Sequence, residues 1–263
     1  MNKLFLLLVL LLSNICFAKP VTAKSYIVTD NTGDVILEKN SDDVRSIASI
    51  TKMMTVLVVL DANQDLDEEL PIVFKGNSYL HSKLPRSVKT LTRHELINLA
   101  MVKSDNLAAQ TLCVNYPFGL NRCIAEMNHK AFVLGMNNTH YEDPTGLNSK
   151  NVSTARDLVK LILASQDYPH LMDAGSKPSV SIKVKKRWWQ FGNTNPLVKN
   201  SDKVIISKTG YIGASGGCLA MMLDTNLGPR VIVLLGSRNT HTRFPEAQKI
   251  AVTVSHNDIE TTY

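Results

Sequence analysis

Ser49 and Lys52 stand three residues apart in the stretch 46–55. On a helix that spacing places a hydroxyl and an amine on one face. An ordinary lysine is protonated at neutral pH and takes no proton. Burial, or a second cation nearby, removes its proton and makes it a base for the serine. The pair is then an activated nucleophile, and Ser-x-x-Lys occurs nowhere else in the chain. Two further short motifs follow in order, Ser104-Asp105-Asn106 and Lys208-Thr209-Gly210. Singly each has an ordinary reading as a helix cap, a polar turn or an edge strand with a lysine. Ser-x-Asn recurs elsewhere, at 149–151, 237–239 and 255–257, whereas Lys-Thr-Gly occurs once. Together they add a second hydroxyl, an amide, a second cation and a glycine beside which a peptide can pass.

Those residues need elements to hold them. Residues 23–30 and 35–39 flank Asn31-Thr32-Gly33-Asp34 and read as a β-hairpin. The apolar run 53–60 follows Lys52 without Gly or Pro, which predicts a buried helix starting near Ser49. Thr92-Arg93-His94-Glu95 is a capping box and opens a helix to Lys103. Helices at 106–114 and 122–134 come next, so Ser104 falls in a turn between helices. Ser153 or Thr154 caps a helix running to about Tyr168, where Pro169 stops it. Strand patterns at 179–184, 204–212, 218–224 and 230–237 precede a closing helix at 244–254. Lys208-Thr209-Gly210 thus lies on a strand. Runs of strands and of helices, rather than strict alternation, predict an α+β fold in one compact domain, an antiparallel sheet with helices packed on it.

The 263 residues are 44% hydrophobic and 20% charged, which excludes a disordered chain. A formal charge of +6 suits an anionic wall polymer as readily as nucleic acid. No motif marks a nucleic-acid binder. Lys3, the apolar run 4–12, and Cys16 and Ala18 at cleavage-site positions predict an export signal over 1–18, cut after Ala18. That run is shorter than the roughly 20 residues a bilayer needs, so the mature chain, 19–263, is expected without a transmembrane anchor. Cys113, Cys123 and Cys218 remain. Cys113 and Cys123 can join in an oxidising compartment, but a core of this size needs no staple, so three buried thiols are expected. Asp61, Asn63 and Asp65 imitate a calcium loop, yet Leu66 and Ile72 replace its glycine and its last glutamate. His94-Glu95 lacks a second histidine at Asn98. No metal and no cofactor are expected.

The three motifs in this order, behind an export signal, are similar to those of the serine penicillin-recognising proteins. The chain resembles the D-alanyl-D-alanine peptidases, the low-molecular-mass penicillin-binding proteins, over essentially the whole mature length. Residues 46–55, Asp143-Pro144-Thr145-Gly146-Leu147, 151–158 and Asn193-Thr194-Asn195-Pro196-Leu197 also look like family stretches. The resemblance implies a β-lactamase/transpeptidase-like fold, with about five strands flanked by helices and an all-helical lobe. It implies that Ser49 forms an acyl-enzyme, with Lys52 as base, kept neutral by burial and by a positive Lys208. Ser104 would relay a proton to the leaving amine, and Asn106 would hold Lys52 and the substrate backbone. Lys208 and Thr209 would bind a substrate carboxylate, and Gly210 would admit an extended peptide. The N–H groups of Ser49 and Tyr211 would form the oxyanion hole. The implied partners are peptidoglycan cross-linked peptides in the periplasm, with β-lactam antibiotics as covalent inhibitors.

The resemblance leaves several activities to separate. Class A β-lactamases share the motifs but need Glu-x-x-Leu-Asn, which 95–99 and 142–146 fail to supply. Rapid β-lactam turnover is therefore disfavoured. The family's major carboxypeptidases carry a further β domain and an amphipathic anchor. Here 53 residues follow Gly210, and two strands and a helix use them. An endopeptidase cutting the D-alanyl–diaminopimelate cross-link is expected. The alternatives are a carboxypeptidase, a class A-like β-lactamase or a wall-binding protein without turnover. Residues 183–189, with Trp188 and Trp189, are expected to be a solvated basic strand with one buried tryptophan rather than a grip on glycan.

Overall fold

The computed structural model describes residues 21–260 apart from 75, 77–79 and 202, so the expected export signal lies outside the described residues. The first hairpin forms as its turn chemistry requires. Asp30 Oδ1 accepts from the backbone N–H of Thr32, Gly33 and Asp34 at 2.8, 3.0 and 3.0 Å, bending the chain from β1 (Ser25–Asp30) into β2 (Val35–Lys39). A short β3 (Arg45–Ser46) leads through a 3-10 turn (Ala48–Ile50) into α1 (Thr51–Asp61). β4 (Glu69–Pro71) pairs with β5 (Thr90–Thr92), and α2 (Arg93–Asn98) opens on the expected capping box. The helical path reaches Lys103, but its last part is a single π turn (Leu99–Lys103). α3 (Asn106–Val114), α4 (Leu120–Val133) and β6 (Val152–Ser153) follow.

Thr154, not Ser153, caps α5 (Ala155–Ala164), its hydroxyl accepting from Asp157 N–H. The helix stops at Ala164, short of Tyr168, and gives way to a 3-10 turn (Ser165–Asp167). Pro169, expected from sequence to stop it, is therefore not what does so. It starts α6 (Pro169–Ser176), at a position where a missing N–H costs nothing. β7 (Ser179–Val184) and β8 (Arg187–Gly192) form a second hairpin, and α7 (Pro196–Asn200) follows. β9 (Val204–Ile212), β10 (Gly216–Leu223), β11 (Arg230–Ser237) and α8 (Arg243–Glu260) complete the described chain.

The main sheet runs β2-β1-β11-β10-β9, antiparallel throughout. Both faces of its centre are buried, and the strand period of two sorts the side chains. Val231, Val233 and Leu235 of β11 face the core shared with α1 and α5, while Ile232 and Leu234 meet Ala247 and Ile250 of α8. α1 is buried over residues 51–59 on nearly every side, which is why its sequence is an unbroken apolar run without a polar face. The one basic group in that run, Lys52, is carried inside with it.

Cys113 on α3 and Cys123 on α4 are joined, with Cα atoms 5.4 Å apart, which corrects the expectation of three free thiols. The loop between the two helices folds α3 against α4, and two facing cysteines at that separation are within bonding reach. Cys218 stays free and buried, and burial raises its thiol pKa. With the bridged positions only ten apart in sequence, replacing both cysteines by alanine is expected to cost about 2–3 kcal/mol of unfolding free energy. Urea denaturation measures this, and reaction at Ser49 should persist in the folded variant.

Candidate active site

The site begins where α1 begins. Lys52 is wholly buried, and its Nζ lies 2.9 Å from Ser49 Oγ, 2.7 Å from Asn106 Oδ1 and 2.6 Å from the Thr145 carbonyl oxygen. The last two partners can only accept. A neutral amine gives them its two N–H bonds and keeps its lone pair for the Ser49 hydroxyl. Burial lowers the Lys52 pKa to about 7, against the pull of Asp105 and Asp143, whose charges favour the ammonium. Both carboxylates are spent on structure. Asp105 accepts from Ala108 N–H, Lys83 N–H and the Ser82 hydroxyl. Asp143 accepts from the N–H groups of Thr145, Gly146 and Asn148. Among the described residues no carboxylate is bonded to Ser49 or Lys52.

The Asp143–Gly146 loop owes its place to α1. Thr55 donates to the Pro144 carbonyl at 2.8 Å, and the buried Asn151 amide bridges Thr51 and the Asp143 carbonyl. The Thr145 carbonyl is thereby aimed at Lys52. Asn106 is equally anchored, its Nδ2 donating to the Leu80 carbonyl at 2.9 Å.

The second hydroxyl sits on a strained backbone. Ser104 ends the π turn with φ 59 and ψ 33, a left-handed conformation uncommon for a residue with a side chain. Its Oγ accepts from Lys208 Nζ at 2.8 Å, and Lys208 also donates to the Thr209 carbonyl at 2.9 Å. Lys208 is buried, and burial, then Lys52, then Arg243, all depress its pKa. Burial is thus the leading cause at both lysines. The two amines repel each other's charge, which adds to burial in disfavouring two protonated lysines side by side. Thr209 Oγ1 meets Thr194 Oγ1 at 2.7 Å, which fixes its hydroxyl at the strand edge.

Sequence reading missed Arg243. Its guanidinium lies under β9, donates to the Gly210 and Cys218 carbonyls, and has a pKa lowered by burial only to about 10, so it remains charged. The available clue was electrostatic. A cation opening a helix opposes the helix dipole, and Arg243 is the first residue of α8. Lys52, Lys208 and Arg243 are three buried bases with no ion pair to any described carboxylate. Arg243, which keeps its charge, is thus a buried cation without a carboxylate partner among the described residues, and it favours an anionic ligand.

Residues 14–239 match the family described as D-alanyl-D-alanine carboxypeptidase. The chain belongs to that family. It is a serine-type DD-peptidase, a hydrolase. It is 40% identical over 232 residues to the D-alanyl-D-alanine endopeptidase of Pseudomonas aeruginosa, covering 86% of this chain and 75% of that protein. The DD-transpeptidase of Streptomyces K15 superposes with a TM-score of 0.84 at 27% identity, covering 90% of this chain and 98% of that one. Penicillin-binding protein D2 of Listeria monocytogenes, in its cefotaxime-bound form, gives 0.80 at 26% identity, over 89% and 98%. The β-lactamase/transpeptidase-like α+β fold expected from sequence is the fold observed.

In this DD-peptidase two glycines let backbone meet backbone around Ser49. A Cβ on Gly210 would stand 2.8 Å from the Ile47 carbonyl and 3.0 Å from Ser49 N, so β9 passes directly beside the serine amide. Tyr211 follows with its side chain half exposed. A Cβ on Gly146, at φ +80, would fall 1.9 Å from the Ala48 carbonyl oxygen. Gly146→Ala is therefore expected to cost about 3 kcal/mol or more and to slow reaction at Ser49, read by thermal melting and by labelling with fluorescent penicillin. The pH dependence follows from Lys52. The neutral amine fraction grows as pH rises through its pKa of about 7. The penicillin acylation rate should climb about tenfold per pH unit below that value and level off above it, in stopped-flow or quench measurements.

Proposed function

We propose that this chain is a periplasmic endopeptidase, exported by residues 1–18 and acting as a single domain over 19–263, that hydrolyses D-alanyl–diaminopimelate cross-links in peptidoglycan. The observation that carries the chemistry is the Lys52 amine, two of whose partners only accept while the third is the Ser49 hydroxyl. Ser49 Oγ attacks the carbonyl of the penultimate D-alanine and passes its proton to Lys52. The new oxyanion is held by the N–H groups of Ser49 and Tyr211, on the two backbones that Gly210 allows to meet. Ser104, already accepting from Lys208, relays a proton to the leaving amine. The C–N bond breaks, the amine departs, and water then releases the acyl group from Ser49.

Lys208, Thr209 and Arg243 supply the field and the hydroxyl for the substrate carboxylate beside the scissile bond. Asn106 holds Lys52 and reaches the substrate backbone. An extended peptide lying along β9 adds main-chain pairing at an edge of the sheet that has no strand partner among the described residues. The preference for cross-links rests on the endopeptidase relative at 40% identity. The family description favours a second reading, a carboxypeptidase that removes only the terminal D-alanine. β-Lactams acylate the same serine, as the cefotaxime-bound relative supports.

Purified cross-linked muropeptide dimers and monomeric pentapeptides separate the readings by chromatography. The wild type should convert dimers to monomers, and Ser49→Ala should convert nothing. Lys52→Ala should lower turnover by about 10²–10⁴-fold. Loss of terminal D-alanine alone would establish the carboxypeptidase instead. Rapid release of free penicilloate would replace both with a β-lactamase.

A further inference from the structure

The β7–β8 hairpin is unlike the rest of the surface. Register pairs Lys183 with Trp188 and Ser181 with Gln190, and all four side chains are exposed. Ile182, Val184 and Phe191 are buried and anchor the hairpin. The chain has two tryptophans, and both are here and open to solvent, Trp188 at 69% and Trp189 at 40%. This overturns the expectation of one buried indole. An indole left in water forgoes a large burial gain, so two adjacent exposed ones ask for a partner.

Charge narrows the partner. Between Asp173 and Asp202 the sequence holds Lys177, Lys183, Lys185, Lys186, Arg187 and Lys199 and no acidic residue. Lys177 is paired with Asp173. The four hairpin cations have no ion pair among the described residues, and Lys183 Nζ lies 6.0 Å from the Trp188 ring centroid. The face therefore offers a flat π surface, an amide, a hydroxyl and a cluster of free cations. That is chemistry for stacking on the C–H face of a sugar ring while pairing with carboxylates carried on the same polymer.

Position links this face to the cleft. β7 and β8 both pack on the π turn that ends at Ser104. β8 runs directly into Asn193 and Thr194, and Thr194 touches Thr209. A polymer lying on the hairpin would hold its side branches at the mouth of the site.

We propose that the outward face of the β7–β8 hairpin, centred on Trp188, is a binding platform for the glycan strand of peptidoglycan, a polysaccharide whose peptide branches carry carboxylates, as do its sugars where those branches have been removed. The choice of glycan over other polyanions rests on the cell-wall reading of the cleft. The platform anchors the enzyme on the polymer while the cleft acts on the attached peptides.

The test uses the mature Ser49→Ala protein, so that nothing is cleaved, with glycan strands stripped of their peptides. Both tryptophans report on the hairpin, so saturable, salt-weakened changes in intrinsic fluorescence are expected on titration. In co-sedimentation with intact sacculi, Trp188→Ala should weaken binding about tenfold, and Lys185→Glu/Lys186→Glu should do likewise. In the background with Ser49 intact, Trp188→Ala should keep its penicillin labelling rate and its kcat/KM on soluble muropeptide dimers, while losing activity on sacculi. Normal labelling shows that the variant is folded. Stripped glycan that fails to bind, unchanged binding by Trp188→Ala, or equal competition by DNA of similar charge would each overturn the proposal. If the cross-link reading alone is wrong, dimers are not cleaved but the glycan titration still saturates. If the platform alone is wrong, dimers are cleaved and the titration stays flat.

Discussion

Everything at the site depends on keeping one amine dry. Lys52 in water holds its proton, and in the core it gives it up near neutrality. The difference favours the neutral amine by on the order of 5 kcal/mol relative to an exposed lysine. No single neighbour causes it. α1 is buried over residues 51–59, the Asp143–Gly146 loop closes one side, and Asn106 at the start of α3 closes another. The folded state is the poorer place for the ammonium, so this group opposes folding when protonated. Its penalty fades as pH rises from about 7 toward the ordinary lysine value of 10.5. A buried base is a standing charge against stability, offset by the two-faced core of the sheet.

The same economy explains the strained backbone. Ala48 at φ 47 and Ser104 at φ 59 both adopt left-handed conformations that a side chain disfavours. One precedes Ser49 and the other carries the second hydroxyl. Each lies at an abrupt boundary, Ala48 opening the 3-10 turn before α1 and Ser104 directly after the π turn that follows α2. Regular helix at either place would swing the hydroxyl off the cleft. The surroundings over-determine both residues. Gly146 packs on the Ala48 carbonyl without room for a methyl group, and the Asp105 carboxylate caps α3 immediately after Ser104.

Much of this was legible in the chain, and the reasons differ by residue. The sheet strands showed because a strand buried on both faces reads as an unbroken apolar run, as in 230–237. Ser49, Lys52, Ser104, Asn106, Lys208 and Thr209 showed because their chemistry lies in side chains at short spacing. Thr145 did not, because its contribution is a carbonyl and any residue has one. Arg243 did not, because its role depends on α8 crossing beneath β9, a contact that no local pattern encodes. The Cys113–Cys123 bond was open in sequence and settled only by how α3 lies on α4. Trp188 and Trp189 misled because a tryptophan is expected to be buried, whereas the register of β7 on β8 turns Trp188 outward beside Lys183.

The proposed chemistry also implies that one serine would hydrolyse peptides yet hold β-lactams as a slow ester. A neutral Lys52 becomes an ammonium when it takes the Ser49 proton. With a peptide, that proton leaves with the departing amine through Ser104, and Lys52 is again a base when water arrives. With a β-lactam, the nitrogen released by ring opening stays covalently tied to the acyl group. On that chemistry it would stay near the Ser104–Lys208 pair, in the path of the water that would free Ser49. A second base could bypass this, but Asp105 and Asp143 spend their oxygens on backbone N–H groups and the Ser82 hydroxyl. Rescue by a carboxylate would require undoing the loop and cap that keep Lys52 neutral. On this proposal, the arrangement that makes Ser49 reactive is also the one that would make its β-lactam ester persist.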